Sequence, residues 1–565
     1  MIIEFIEEKL QQVLNELNYD LKAKVIVSNR KDLCDYQFDG AFAYAKILHK
    51  NPLEISETIV NKWKENLDTA KYFAKIEAVR PGFINITLSN QFINETLYQM
   101  AIKPKFNIKM PEKRTIVIDY GGPNVAKPLH VGHLRSAIVG EAIKRILKYY
   151  GHNVIGDVHL GDYGLQIGQV IFGLQKENIS IDQITISLLD RIYPEMSALC
   201  KENEEVKEKC AVITKELQDG NPKYQEYFRK IKEVSGQDIL RIYNYLDVHF
   251  DLWYGESDAY PYIDALTKDL YEKALLKESE GAKIIDVSSD TDEKELPPFI
   301  FQKKNGAYLY STTDLATVYQ RIEDYHPDNI IYVTDLRQSL HFEQLFRVCE
   351  KLGYTKNTTF EHLGFGTVNG SDGKPYKTRA GTAPKLDQLF KDTKEAFLSS
   401  NPKNANMSEE DLDILVNAII KYADLQNNRE KDYIFDINKF STVIGKTGPY
   451  ILYTYLRIES ILEKENLEIT NLSDEIYNDT DRELRMKILE LENTLNYSYT
   501  TRLPSVLANY LYEMCVNMNA FYEKNHINNL EEKNKKQDWL FILELSNRII
   551  KEMLELLSIK IPNKM

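Results

Sequence analysis

The chain has 565 residues, too many for one hydrophobic core, and at about 100–200 residues per domain it divides into three or four. Its 71 basic and 85 acidic residues leave a formal charge of −14, which excludes a general attraction to polyanions, so any nucleic-acid contact must come from local basic patches. Five scattered cysteines (Cys34, Cys200, Cys210, Cys349 and Cys515) form no C-x-x-C and indicate neither a zinc module nor a disulfide framework. No apolar run approaches the roughly 20 residues needed to span a bilayer, so a cytoplasmic chain with no membrane partner is expected.

Ile6, Leu10, Val13, Leu14 and Leu17 make one helical face, and a helix after Pro52 carries Ile55, Ile59 and Trp63. Lys24 to Val27 reads as a strand. Phe83 to Leu88 alternates with period two, which predicts Ile84, Ile86 and Leu88 buried and Phe83, Asn85 and Thr87 facing outward. Residues 1–105 therefore predict a small α+β domain, followed by a Lys- and Pro-rich linker over 103–115.

Ile116 to Ile118 is a β-branched run ending in Asp119, and Gly121, Gly122, Pro123 and Pro128 then forbid regular structure. Beyond Pro128, Leu134, Ile138, Ala142 and Ile146 recur four apart and predict a helix with one buried face. That helix opens with His130-Val131-Gly132-His133. A strand, a loop and a helix N-terminus make an anion site, because unpaired backbone N–H groups and the positive end of the dipole point the same way. Taken alone, the two imidazoles also suit a metal pair or two surface histidines beside a cap, but His152 and His159 lack the one-face spacing to complete a metal site. Val154 to Leu160 starts a second strand and closes a βαβ unit. Gly161-Asp162-Tyr163-Gly164 then turns the chain into another helix.

The fourteen residues Pro123-Asn124-Val125-Ala126-Lys127-Pro128-Leu129-His130-Val131-Gly132-His133-Leu134-Arg135-Ser136 resemble the arginyl-tRNA synthetases, H-x-G-H being the HIGH motif of class I aminoacyl-tRNA synthetases. The stretch Gly161 to Gly168 resembles the family's G-D-W-G-x-Q loop, with Tyr163 where tryptophan is usual. Upstream, Arg80-Pro81-Gly82-Phe83-Ile84-Asn85 resembles the family's N-terminal additional domain, which implies that Phe83 and Asn85 contact tRNA.

Residues 170–280 read as charged helices with solvated faces, Lys201 to Lys209 among them, and carry no assigned chemistry. Between Tyr308 and Ile322, Leu315, Val318, Tyr319 and Ile322 have helical spacing. Ser311 is the predicted N-cap, which would put Asp314 at the third helical position in a capping-box-like turn, with Tyr310 packed on the helix. Ile330 to Val333 is a strand leading into a helix through Cys349, so the loops after Ile118 and Val333 are expected to face one crevice. The family resemblance implies that Tyr310, Asp314 and Gln338 (in Q-S-L-H) meet the substrate side chain. Gly370 to Gly381 is a basic, glycine-flanked turn that by itself could be merely solvated. It resembles the G-K-P-x-K-T-R variant of the family's KMSK loop, which implies that Lys374, Lys377 and Arg379 bind ATP, with Lys127 as an accompanying cation.

Leu503, Leu507, Tyr510, Met514, Met518 and Phe521, then Ile549, Met553, Leu556 and Leu557, describe a helix bundle. Thr447 to Tyr453 and the ending Leu557 to Met565 resemble the family's anticodon-binding domain, which implies tRNA contacts at Tyr450 and Met565. The expected fold class is thus α/β. It comprises a Rossmann-type class I catalytic domain over 110–385 with an inserted segment at about 170–300 and an N-terminal α+β additional domain. A helical connection over 386–440 and an all-α bundle over 441–565 complete it.

The resemblance implies that arginine is activated with ATP, escorted by Mg²⁺, and passed to the terminal adenosine of tRNA by a monomer without a structural metal. In that scheme His130, Gly132, His133, Lys127, Lys374 and Lys377 serve ATP and the departing pyrophosphate. Asp119, Asn124, Tyr310, Asp314 and Gln338 serve the guanidinium, which wants planar bidentate acceptors. Two other classes stay open on sequence grounds: an H-x-G-H nucleotidyltransferase without tRNA, and a non-catalytic tRNA-binding paralogue.

Overall fold

The computed structural model describes residues 2–66, 68–292, 294, 296–304, 306–370, 372–374, 385–465, 472–527 and 530–565, the side chains at 402 and 403 apart. They group into two units. The first comprises Met1–Lys109, Thr454–Tyr497 and Tyr510–Lys551. Its antiparallel sheet is built from Val25–Val27 (β1), Tyr36–Phe38 (β2), Phe73–Val79 (β3) and Phe83–Leu88 (β4), in the order β1-β2-β4-β3. The helix Ile2–Glu16 buries Ile6, Leu10, Val13 and Leu14, and Leu17 falls just past its end. The helix Pro52–Lys64 begins where the Asn51 side chain accepts the Leu53 N–H and Pro52 sits at the first position, where its missing N–H is not needed. Its Trp63 packs edge-on to Phe73 with ring centroids 5.3 Å apart.

The outward face expected for Asn85 is corrected here: the residue is buried. β4 is an internal strand, so Asn85 lies in register between Gln37 on β2 and Glu77 on β3, and Gln37 Nε2 donates to its Oδ1 at 2.9 Å. Period-two alternation says which face a residue takes but not whether neighbours cover that face. Phe83, at the strand's start, is half-buried against Phe42, with centroids 5.0 Å apart. Among this unit's C-terminal helices, Tyr510, Met514, Met518 and Phe521 are buried as their spacing predicts. Buried Asp481 accepts from Arg485 Nε at 2.6 Å and Trp539 Nε1 at 3.1 Å.

The second unit comprises Met110–Tyr453, Ser498–Asn509 and Glu552–Met565. Its parallel sheet contains Thr115–Tyr120 (β5), Asn153–Asp157 (β6), Asn329–Val333 and Thr359–His362. Between β6 and Asn329 the chain also forms an antiparallel sheet of Leu276–Ser279 (β7), Ala282–Ile285 (β8) and Phe299–Gln302 (β9), so Asn329–Val333 is β10 and Thr359–His362 is β11. The parallel order is β11-β10-β5-β6. The small sheet is absent from the sequence reading, which took this region as mostly helical. Its hairpin turns at Glu280 and Gly281, both with positive φ, in a chain otherwise rich in charge.

The helix Val131–Tyr149 (α1) links β5 to β6. It was expected to bury one face, and Leu134, Ile138, Ala142 and Ile146 are indeed buried, but so are Arg135, Glu141 and Lys144. These charges are tolerated inside because each is paired: Arg135 Nε reaches Asp424 at 3.0 Å, and Lys144 Nζ reaches Glu141 at 2.8 Å. Ser136 of α1 ties the sheet's two central strands at their carboxyl ends. Its Oγ accepts the Gly121 N–H at 2.7 Å and donates to the Val333 carbonyl at 2.6 Å.

Candidate active site

β5 and β10 run parallel in register, Val333 opposite Tyr120, so the loops that leave them open side by side into a cavity of about 640 Å³. Asp119, Asn124, His130, Gly132, His133, Tyr310, Asp314 and Gln338 all line it. The loop over 121–129 is pinned to the strand end beyond β6: Val125 N donates to the Gly161 carbonyl and Gly161 N to the Pro123 carbonyl, both at 3.0 Å. Pro123, Val125, Ala126, Leu129 and Val131 are buried beneath it, and Pro128 is half-buried.

His130 is the N-cap of α1, and its Nδ1 accepts the Gly132 N–H at 3.0 Å, while His133 Nδ1 accepts the His130 N–H at 3.2 Å. A backbone N–H only donates, so both neutral rings carry their proton on Nε2. Burial, and then the nearby charge of Lys127, lowers His130 from the ordinary histidine range. His133 is pushed down to about 3 by burial, then by His130 and Lys127. The expected anion site of unpaired backbone N–H groups is therefore modified. Gly132's N–H is spent on an imidazole and His133's on the His130 carbonyl at 2.8 Å, leaving the imidazole Nε2–H groups as donors. Glycine at 132 is needed because a Cβ there would lie 2.8 Å from His130 Cε1.

Acids line the same cavity. Tyr310–Tyr325 (α2) is capped by Leu309, not Ser311, whose Oγ instead donates to the Ile300 carbonyl at 2.8 Å. Asp314 consequently lies beyond the cap, and its Oδ2 pairs with His341 Nε2 at 2.6 Å. The Tyr310 ring is exposed and tilts over His341 at 4.9 Å. Gln338 immediately precedes the helix Ser339–Leu352 (α3). Asp119 is not a free acceptor: Arg321 of α2 donates Nη2 to its Oδ2 at 2.7 Å and to Asp157 Oδ2 at 2.6 Å. Burial raises the Asp119 carboxyl against the pull of Arg321. Asp119, Asp157 and His159 are close enough to suit a metal ion, yet the cation their carboxylates hold is this guanidinium. Arg321→Met should cost about 3–5 kcal/mol of stability, because two buried carboxylates lose their shared cation. A shift under about 1 kcal/mol in denaturant unfolding would show that the triad is not a stabilising unit.

Glu256 and His159 also line the cavity; Glu256 was not singled out from sequence, and His159 was weighed there only as a metal ligand. Glu256 opens a four-residue helical turn that Asp162 organises, accepting from Ser257 N at 2.8 Å and Ser257 Oγ at 2.6 Å. Gly255 is required there, since a Cβ would come within 2.5 Å of Asp162 Oδ2. That glycine and the loop at Gly161 were the only sequence signals available. Burial first, and then the charge of Asp314, pushes the Glu256 carboxyl up to about 7.

Several expected residues stand apart from the cavity wall. Lys127 is half-buried outside it, and Lys374 is exposed in a turn where Gly370 N donates to its carbonyl at 2.8 Å. Lys377 and Arg379 lie outside the described residues. Tyr450, in the first turn of the helix Gly448–Leu462, and Met565, at the chain's end, are both half-buried and line no part of this cavity.

The family profile described as tRNA synthetases class I (R), catalytic domain, matches residues 95–437. The DALR anticodon binding domain matches 451–565 and the arginyl tRNA synthetase N terminal domain 4–88. An arginine–tRNA ligase of Agathobacter rectalis is 40% identical across 100% of both chains, and one of Alkaliphilus oremlandii is 40% identical over the same coverage. The crystal structure of arginyl-tRNA synthetase from Plasmodium falciparum matches with a TM-score of 0.84 at 28% identity, covering 100% of this chain and 99% of that one. With three domain profiles in chain order and full-length identity behind it, the chain belongs to the arginyl-tRNA synthetase family of class I.

Proposed function

We infer that the chain is an arginine–tRNA ligase: it activates L-arginine with ATP and passes the arginyl group to its cognate tRNA. The observation that carries this reading is one cavity lined both by neutral imidazole donors and by desolvated carboxylates. In the first step the arginine carboxylate attacks the α-phosphorus, the bond to the bridging oxygen breaks, and pyrophosphate leaves. This is catalysis by positioning and electrostatics. His130 and His133 donate Nε2–H to the phosphates. Lys127, Lys374, Lys377 and Arg379 neutralise the polyphosphate as charge moves onto it.

Glu256 and Asp314 receive the guanidinium, with Tyr310, Asn124 and Gln338 around it and Asp119 contributing its remaining oxygen. Mg²⁺ enters on ATP as part of the substrate; it prefers phosphate oxygens and water, and the carboxylates of Asp119 and Asp314 are already engaged by Arg321 and His341. In the second step the terminal adenosine's 2′-hydroxyl attacks the adenylate carbonyl and AMP departs. Phe83, Asn85, Tyr450 and Met565 are proposed tRNA contacts, Asn85 acting through Gln37, which donates to it. A monomer in the cytoplasm goes with this reading, and no described helix is long and apolar enough to cross a membrane.

The test is ATP–pyrophosphate exchange with each amino acid, with and without tRNA. Exchange is expected with arginine alone among them, and only when tRNA is present. Exchange driven by another amino acid would overturn the substrate assignment, and a full rate without tRNA would overturn the requirement for it.

A further inference from the structure

The inserted helix Ile186–Glu202 contributes nothing to the cavity wall, yet one of its faces meets Lys127 and Lys385. Asp190 and Tyr193, three apart and so neighbours on that face, each engage a lysine. Asp190 Oδ2 pairs with Lys385 Nζ, and Lys385 in turn bridges His130 through the backbone, while Leu386 N donates to the Leu129 carbonyl at 3.1 Å. Tyr193 lies under Lys127, with Nζ 5.1 Å from its ring centroid. We propose that Tyr193 is a positioning residue, holding the Lys127 ammonium beside the histidine motif with an aromatic face so that its charge stays available to the polyphosphate.

The choice of partner is the physical point. A carboxylate would hold an ammonium equally well but would cancel its charge, whereas a ring quadrupole attracts the cation and leaves its net charge intact. In a chain with 85 acidic residues, Lys127 has no carboxylate partner among the described residues. Its charge is felt across the motif, since it lowers both His130 and His133. Lysine carries about 2 kcal/mol of rotamer entropy, so an untethered side chain would spend much of its time away from the phosphates. The proposal rests on the role given above to Lys127.

The experiment measures arginine- and tRNA-dependent ATP–pyrophosphate exchange, with thermal unfolding as a control. Tyr193→Phe keeps the ring and should stay within about twofold of the native kcat; Tyr193→Leu keeps apolar volume but no quadrupole and should lower kcat by about three- to tenfold, with KM for arginine unchanged. Tyr193→Glu, which would discharge Lys127, should be slower than the leucine variant. In a Lys127→Ala background Tyr193→Leu should have no further effect. Equal rates for the phenylalanine and leucine variants, or a full additional loss in the Lys127→Ala background, would overturn the proposal. A native rate for Lys127→Ala alone would overturn instead the reading of Lys127, and the proposal with it.

Discussion

His133→Asn should lower the kcat of arginine-dependent pyrophosphate exchange by about 10²–10³, the loss typical of removing one preorganised donor to developing charge. The substitution isolates that donor. His133 Nδ1 now accepts the His130 N–H at 3.2 Å, a bond the asparagine Oδ1 can still accept, so the start of α1 is preserved while the Nε2–H is lost. KM for ATP should move little, because the donor is needed most as pyrophosphate departs. A native kcat with a raised KM would mean that the imidazole only binds ground-state ATP.

The same residue carries a sign on pH. Its imidazole is held down to about 3, against about 6.5 in the unfolded chain, so between these values the unfolded state binds the extra proton. Stability from this group is complete above pH 6.5 and falls as pH drops toward 3, by at most about 1.4 kcal/mol per pH unit. The asparagine variant should lose that component of the slope. In the native protein His133 stays neutral across pH 5–8, so it should contribute no acidic limb to the rate profile.

What could be read from sequence was what depends on near neighbours. β5, α1, β10 and α3 follow from apolar periodicity within a few residues, and two strand-to-helix units suffice to place their loops over one crevice. The histidines, Asn124, Tyr310, Asp314 and Gln338 come from stretches that resemble the family, and the structure brings them to one cavity.

What escaped was set by partners far along the chain. Arg321 reads as one more polar residue of an amphipathic helix, yet it is almost wholly buried because Asp119, 202 residues away, takes its charge. Arg135 and Asp424 are separated by 289 residues in the same way. A charged side chain in isolation reads as solvated, and only tertiary pairing reverses that reading. Asn85 failed for a related reason, since it lies between Gln37 and Glu77 on the two neighbouring strands. Ser311 looked like a cap because serine usually is one; here the chain entering from β9 takes its hydroxyl instead.

Glu256 is the residue whose replacement should most alter recognition of the amino acid. Among the described residues it has no lysine or arginine partner; its Oε2 accepts only a long bond from Tyr163 N at 3.4 Å. Asp314 beside it is engaged by His341, and Asp119 by Arg321, so Glu256 is the acid left with charge to offer a cation. With its carboxyl near 7, part of the free enzyme at neutral pH holds Glu256 protonated. An arriving guanidinium favours the carboxylate and expels that proton. The sign follows: arginine binding strengthens as pH rises through 7 and levels off above it, and KM for arginine, measured with tRNA present, should be about tenfold higher at pH 6 than at pH 8.

Glu256→Gln preserves size and removes the charge. At pH 8 it should cut kcat/KM for arginine by about 10²–10³, the scale of breaking a desolvated charge pair, and it should flatten the pH dependence. Citrulline keeps the shape of arginine without its charge, so the variant should also lose much of the preference for arginine over citrulline. Asp314→Asn, whose partner His341 remains, should do less of each. If the glutamine variant retains the native pH dependence of KM and the native selectivity, Glu256 does not face the guanidinium, and the charge that recognises arginine must lie with Asp314.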